Sequence, residues 1–237
     1  MKTKPISGIS IVIPAFNEEK KIAGTIGEIK AFLKKNRAKD FEIIVVDDGS
    51  TDSTALKAKQ PGVKLLRNKK NMGKGYSVKK GVLASRKELI LFTDVDLSTP
   101  LVFLNKFLQY IDDYDIVIGS RNKPESKIKS RGSIRQVLGI GFARLVSVML
   151  MLDISDSQCG FKLFRRGCAK KVFSLQEING WAFDAEVLAI AKALGFKCKE
   201  CPVDWNNAKE SKVKATAIPL MLLDLIRIRG RIKRMRG

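Results

Sequence analysis

The chain has 237 residues, enough for one large α/β domain or two small ones, and its 45% hydrophobic content is ordinary for a packed core. It carries 45 Lys and Arg against 24 Asp and Glu, a formal charge of +21, which favours polyanions: nucleic acid, anionic headgroups or phosphorylated substrates. The absence of histidine excludes Ser-His and Cys-His nucleophilic pairs and any His-ligated metal.

In chain order, Ile9-Ser10-Ile11-Val12-Ile13 predicts a strand ending at Pro14, and a helix is expected from about Glu19 to Lys35. Phe41 to Val46 reads as a second strand running into Asp47-Asp48-Gly49-Ser50-Thr51-Asp52. Val63 to Leu66 precedes Asn71-Met72-Gly73-Lys74-Gly75 and another helical stretch. Leu89 to Thr93 leads into Asp94-Val95-Asp96, and Asp115 to Ile118 into Gly119-Ser120-Arg121. Nearly continuous apolar strands separated by helices indicate a parallel sheet covered on both faces, with ligands beyond the carboxyl ends of the strands. The polar and glycine-rich clusters sit at those ends.

The stretch from Asn122 to Arg135 is polar and basic, as a surface loop would be. In the helix expected from Gln136 to Leu152, residues Leu138, Phe142, Leu145, Met149 and Leu152 form an apolar stripe. From Pro219, Met221, Leu225, Ile228 and Ile232 form another, beside Asp224, Arg227, Arg231 and Arg234. Such a helix suits a headgroup layer or, alternatively, a packed helix with a solvated basic end. No segment reaches the ~20 apolar residues needed to span a bilayer. Cys198 and Cys201 have metal-ligand spacing without a second pair, so they, Cys159 and Cys168 are expected to be free thiols.

Asp94 and Asp96 carry the clearest chemistry. Alternate residues of an extended segment point to one side, so the two carboxylates can converge on a hard cation, Mg²⁺ or Mn²⁺. Asp47 and Asp48 can accept hydrogen bonds from a base imide or a ribose, Phe16 can stack on a base, and Glu18 can bind ribose. Neither the ATPase phosphate loop nor the dinucleotide fingerprint is present. Lys74 is placed to neutralise a diphosphate near the metal.

Taken in order, Pro14-Ala15-Phe16-Asn17-Glu18, Asp47 to Asp52, Asn71-x-Gly73-Lys74-Gly75 and Asp94-x-Asp96 resemble the inverting family 2 glycosyltransferases of GT-A fold. Asp156 to Phe164, Trp181 to Glu186, Val203-Asp204-Trp205 and Ser211-Lys212-Val213 resemble the polyprenyl-phosphate sugar transferases, the dolichyl-phosphate β-glucosyltransferase branch first and the mannosyltransferases next. The resemblance implies one GT-A domain over 1–212, a mostly parallel Rossmann-like sheet flanked by helices. Within it, 1–121 is the nucleotide-sugar half, 122–155 a basic loop and apolar helix, and 156–212 the acceptor half; 213–237 is an amphipathic basic helix.

It also implies a nucleotide-sugar donor, a divalent metal and a polyprenyl or dolichyl phosphate acceptor. Pro14, Phe16, Glu18, Asp47 and Asp48 would hold the nucleoside, Lys74 and Asp94 the donor, and Asp96 the metal. Arg121, Ser133 and Arg135 suit the acceptor phosphate, since arginine binds phosphate through two parallel hydrogen bonds. Asp156 falls where the acceptor-side acidic motif occurs and is carried as a candidate catalytic residue, and Lys212 would close over the phosphates.

Three departures stand out. Ser98 occupies the place of a glutamine metal ligand in the mannosyl branch, Lys209-Glu210 replaces a glycine before Ser211, and the N-terminal anchor of eukaryotic glucosyl enzymes is not read here. The expectation is therefore a UDP-glucose-dependent enzyme held peripherally on the cytoplasmic face of an anionic membrane by apolar helices and basic residues. The rivals are GDP-mannose as donor, transfer to a glycan hydroxyl, and a nucleic-acid-binding domain. The last lacks any helix-turn-helix, zinc-finger or RNP signature, and no nucleic-acid partner is expected.

Overall fold

The computed structural model describes residues 6–129, 134–206 and 217–236. They form, in order, β1 (Ser7–Ala15), α1 (Ile22–Lys35), β2 (Lys39–Asp47), α2 (Thr54–Ala58), β3 (Val63–Arg67), α3 (Lys74–Ala84), β4 (Leu89–Thr93), α4 (Phe103–Phe107) and β5 (Ile116–Ser120). The chain continues through β6 (Ile128–Lys129), α5 (Ile134–Met149), β7 (Phe161–Arg165), α6 (Arg166–Leu175), α7 (Phe183–Ala193), β8 (Cys198–Pro202), β9 (Trp205–Asn206) and α8 (Ala217–Arg236).

Seven strands form one sheet in the order β3-β2-β1-β4-β7-β5-β8, and β6 pairs with β9 in a small parallel ribbon. All pairings in the large sheet are parallel except those of β7, which runs antiparallel to both β4 and β5. The mixed α/β fold with a mostly parallel sheet is the one the sequence implied, and the reversed central strand is an addition. The strand pattern explains the layering. Val12, Phe92 and Phe164 face one apolar cluster, and their neighbours Ile11, Leu91 and Leu163 face the other. Both faces are thus buried, as continuous apolar strands require.

Local departures have physical reasons. β1 runs through Pro14 because its pairing with β4 ends at Val12, so the missing N–H falls where the ladder has a single neighbour. α1 starts at Ile22 because residues 19–21 turn first, with the Lys21 and Ile22 amides donating to the Glu18 carbonyl.

The two apolar helix stripes meet protein over much of their length. On α8, Met221, Leu225, Ile228 and Ile232 are buried, the last three in the cluster with α7, so they are not free to enter a headgroup layer. On α5, Val146 and Leu150 just beyond it are buried, while Leu145 points outward. The exposed faces of α5 and α8 are instead marked by Leu145, Val148, Leu220, Leu223 and Ile226. No described helix is long and apolar enough to cross a membrane.

Candidate active site

The carboxyl ends of β1, β2 and β4 lie side by side and carry the expected motifs. β4 stops at Thr93, so Asp94-Val95-Asp96 is a turn and not the extended segment expected. The Leu97 amide donates to the Asp94 carbonyl at 3.2 Å, and Leu97 takes a φ of 45°. Val95 is buried, which leaves the carboxylates on either side of it facing out. The Ser98 amide donates to Asp96 Oδ1 at 3.0 Å, so buried Ser98 serves this turn.

Lys74 opens α3 and places Nζ 2.7 Å from Asp94 Oδ1, over the rings of Phe92 (5.3 Å) and Trp181 (5.4 Å). Burial favours the neutral amine, but Asp94, Asp184 and Asp96 outweigh it and hold Lys74 above its ordinary value, charged. Behind it, buried Lys162 is paired with buried Asp184, and Lys162 Nζ also donates to the Cys159 carbonyl at 2.5 Å. Burial raises the Asp184 carboxyl despite the opposing pull of Lys162 and Lys74. Alternating charge therefore runs inward from Asp94 through Lys74 and Asp184 to Lys162.

Asp47 and Asp48 are buried and already engaged. Asp47 accepts from the Ser50 amide (3.2 Å) and Arg67 Nε (3.0 Å). Asp48 accepts from Asn68 Nδ2 (2.7 Å) and from the Met72 and Gly73 amides (both 2.9 Å). The visible work of Asp48 is to hold the loop that presents Lys74. Gly49, at φ 73°, has no room for a side chain because the Lys70 backbone lies against it. Pro14, Phe16 and Glu18 lie at the end of β1 and just beyond it. The Asn17 amide donates to Ser50 Oγ (2.9 Å) and the Glu18 amide to Thr54 Oγ1 (2.7 Å), tying this loop to residues 50–54.

On the acceptor side Asp156 is enclosed and paired, which argues against a role as a base. Asp156 is fully buried, and Arg121 grips it through two parallel bonds, Nε to Oδ2 at 2.7 Å and Nη2 to Oδ1 at 2.9 Å. The Arg121 and Gln158 amides donate to the same carboxylate. Burial would raise its proton affinity, but Arg121 wins and holds it below the usual carboxylate range. A carboxylate so enclosed is a poor proton acceptor. It positions Arg121, whose guanidinium lies 5.3 Å from the Trp205 ring. Ser133 and Lys212 lie outside the described residues. Arg135 falls in α5, with its side chain also outside the description.

Sequence reasoning missed Glu200. It accepts from the Ser155 amide (2.9 Å), Ser155 Oγ (2.7 Å) and the Asp156 amide (2.8 Å), and pairs with Lys123 at 2.9 Å. The signal was there: it is an acidic residue between Cys198 and Cys201. Those cysteines are free and join opposite core clusters, so they do not share a metal. Lys162, a charge within the apolar strand Phe161-Lys162-Leu163-Phe164, carried a similar signal.

Asp94 and Asp96, oxygen donors without histidine or cysteine beside them, fit a hard divalent cation. Among the described residues no group of three His, Cys, Asp or Glu converges. Two carboxylates with the remaining shell left to phosphate and water is the manner in which Mg²⁺ is commonly held.

A doubly covered, mostly parallel sheet with polar and charged residues gathered at the carboxyl ends of its strands has the layout in which α/β enzymes bind their ligands. Residues 10–173 match glycosyl transferase family 2, and the chain belongs to that family. It is 39% identical over 235 residues to a dolichyl-phosphate beta-glucosyltransferase of Trichomonas vaginalis, covering 92% of this chain and 70% of that one. The Homo sapiens dolichyl-phosphate beta-glucosyltransferase is 35% identical over 228 residues, 88% of this chain and 70% of the other. Among solved structures, glucosyl-3-phosphoglycerate synthase from Mycobacterium tuberculosis, in complex with Mn²⁺, UDP and glucosyl-3-phosphoglycerate, shares the fold. Its TM-score is 0.67 at 20% identity, over 93% of this chain and 77% of that one.

Proposed function

We propose that this chain transfers glucose from UDP-glucose to the phosphate of dolichol or a related polyprenol, inverting the anomeric carbon. The observation that carries the reading is the convergence of Asp94, Asp96 and Lys74 at the strand ends, in a chain 39% identical to a dolichyl-phosphate beta-glucosyltransferase. An oxygen of the lipid phosphate bonds to the anomeric carbon as that carbon's bond to the UDP oxygen breaks, and UDP leaves with the electron pair. The lipid phosphate is already anionic near neutral pH, so no side chain has to take a proton from it. This agrees with an Asp156 whose carboxyl is held below the usual carboxylate range and so is a weak base.

The task left to the protein is charge. Lys74, kept charged by Asp94, is assigned to the departing diphosphate, and Arg121 to the acceptor phosphate as a fixed positive charge, since Asp156 already takes its Nε and Nη2, with Ser133 and Arg135 assigned beside it. Pro14, Phe16, Glu18, Asp47 and Asp48 are assigned to the nucleoside, the two aspartates also fixing the loops around it, and Lys212 is assigned to close over the phosphates. Asp94 and Asp96 would hold Mg²⁺ or Mn²⁺, which when bound offsets negative charge on the diphosphate.

The acceptor is a lipid, and the outward faces of α5 and α8 suit a membrane surface. Leu145, Val148, Leu220, Leu223 and Ile226 are exposed there, and Arg144, Arg227, Arg229, Lys233 and Arg234 lie exposed on the same two helices. α5 packs against α8. Apolar side chains with flanking cations fit the anionic, cytoplasmic side of a bilayer.

The test is a panel of labelled UDP-glucose, GDP-mannose and UDP-N-acetylglucosamine with Mn²⁺ and polyprenyl phosphate, counting label extracted into organic solvent. Extraction from UDP-glucose alone is expected. Extraction from GDP-mannose instead, or label appearing only on an added glycan, overturns the reading.

A further inference from the structure

One side chain of α8 reaches the segment beside the loop that carries Lys74. Arg231 of α8 donates Nη1 to Glu186 Oε1 at 2.6 Å, lies 3.3 Å from Glu177 Oε1 through Nε, and donates Nη2 to the Leu175 carbonyl. Glu186, buried on α7, also accepts from the Ile178 amide at 2.8 Å and the Glu177 amide at 3.1 Å. Arg231 and Glu186 together therefore fasten residues 175–178.

That segment borders the loop presenting Lys74. Gln176 Nε2 donates to the Gly75 carbonyl at 3.0 Å, Lys79 Nζ donates to the Gln176 carbonyl at 2.6 Å, and the Tyr76 amide donates to the Asn179 carbonyl at 3.3 Å. A side chain at Gly73 would collide with the Asn179 carbonyl, and one at Gly75 would lie 2.6 Å from the Ile178 carbonyl. Three residues after Ile178, Trp181 lies against the Lys74 amine. Burying the Glu186 carboxylate is unfavourable, and its partners offset that cost only while the segment stays in place.

We propose that Arg231 and Glu186 are positioning residues for the donor diphosphate. They hold residues 175–181, and through them Trp181 and Lys74, so that α8 is part of the donor site although Arg231 does not touch Lys74. The proposal rests on Lys74 being the diphosphate contact, as read above.

The experiment uses the full chain with Trp205→Phe, which leaves Trp181 the single tryptophan, and UDP with Mn²⁺ as the probe. Titration calorimetry gives UDP affinity, and Trp181 emission reports the segment without any ligand. For Arg231→Gln, UDP affinity should fall about tenfold, the scale of one charge-assisted hydrogen bond. Trp181 emission should shift to longer wavelength, and the apparent KM for polyprenyl phosphate should stay put. Arg231→Lys, which keeps the charge but loses the fork, should fall between. Unchanged affinity and unchanged emission in both variants, even with a lower melting temperature, make Arg231 a structural strap and overturn the proposal. If Arg231→Gln does not fold, Arg231→Lys decides by the same two readouts. Failure of the parent protein to bind UDP removes the reading of Lys74 and the proposal with it.

Discussion

Gly160 lies so close to Asp94 that a methyl group added at Gly160 would overlap Oδ2 and stand 2.6 Å from the carboxyl carbon. The loop leading into β7 thus sets the position of the first carboxylate beyond β4. Because Asp94 is also held by Lys74, it has little room to yield. Gly160→Ala should cut transfer by about tenfold or more through displacement of this carboxylate, since a shift near 1 Å suffices for such losses. The assay is label extraction at saturating UDP-glucose and metal, with circular dichroism as the check on fold. Activity within twofold of the parent would show that Asp94 can move without consequence.

Asp96 is exposed and accepts a hydrogen bond from the Ser98 amide at its own turn, so Asp96→Ala should barely alter melting temperature. Transfer should fall by about a hundredfold or more, the scale of removing a group aimed at developing charge. Raising Mn²⁺ should not restore it. Wild-type activity in this variant removes Asp96 from the metal site.

Asp156 makes a pH prediction. Its carboxyl lies below the ordinary value of 3.8, so as pH falls the unfolded chain takes up the proton first. Its stabilising contribution is present above the unfolded value and is lost as pH drops through the folded one. The melting-temperature gap between parent and Asp156→Asn should be widest near about pH 6 and narrow toward about pH 3. A gap that does not change with pH would mean that the charge on Asp156 is irrelevant to the Arg121 grip.

The two faces of α8 make opposite predictions. Leu223→Glu, on the exposed face, should leave melting unchanged and weaken co-sedimentation with anionic vesicles, and added salt should weaken binding further. Leu225→Ala, in the core, should cost about 2–5 kcal/mol of stability measured in denaturant, with vesicle binding retained by the folded fraction. Cutting the chain after Ser211 is a poor test of membrane contact, because it removes Leu225, Ile228 and Arg231 from the interior as well.

Strand ends, glycine turns and paired acids were legible because each is local: β2 ends at Asp47, β4 at Thr93, and Lys74 starts α3. What sequence could not carry were partnerships made across the fold. Asp156 looked available until Arg121, 35 residues away, closed around it. The α8 stripe read correctly as apolar, but periodicity does not say whether such a stripe meets lipid or protein. Contact with α7 decides that, and it leaves a second, less regular set of leucines outside.

β7 also bears on how the chain is made. Its residues come from the second half of the sequence, yet they fill the slot between β4 and β5 of the first half. While the protein is being synthesised, the facing edges of β4 and β5 have no strand between them until residues 161–165 emerge. Unpaired apolar edges invite association with other nascent chains. A stop or prolonged pause near residue 121 would therefore release an aggregation-prone fragment and not a half-sized donor-binding domain.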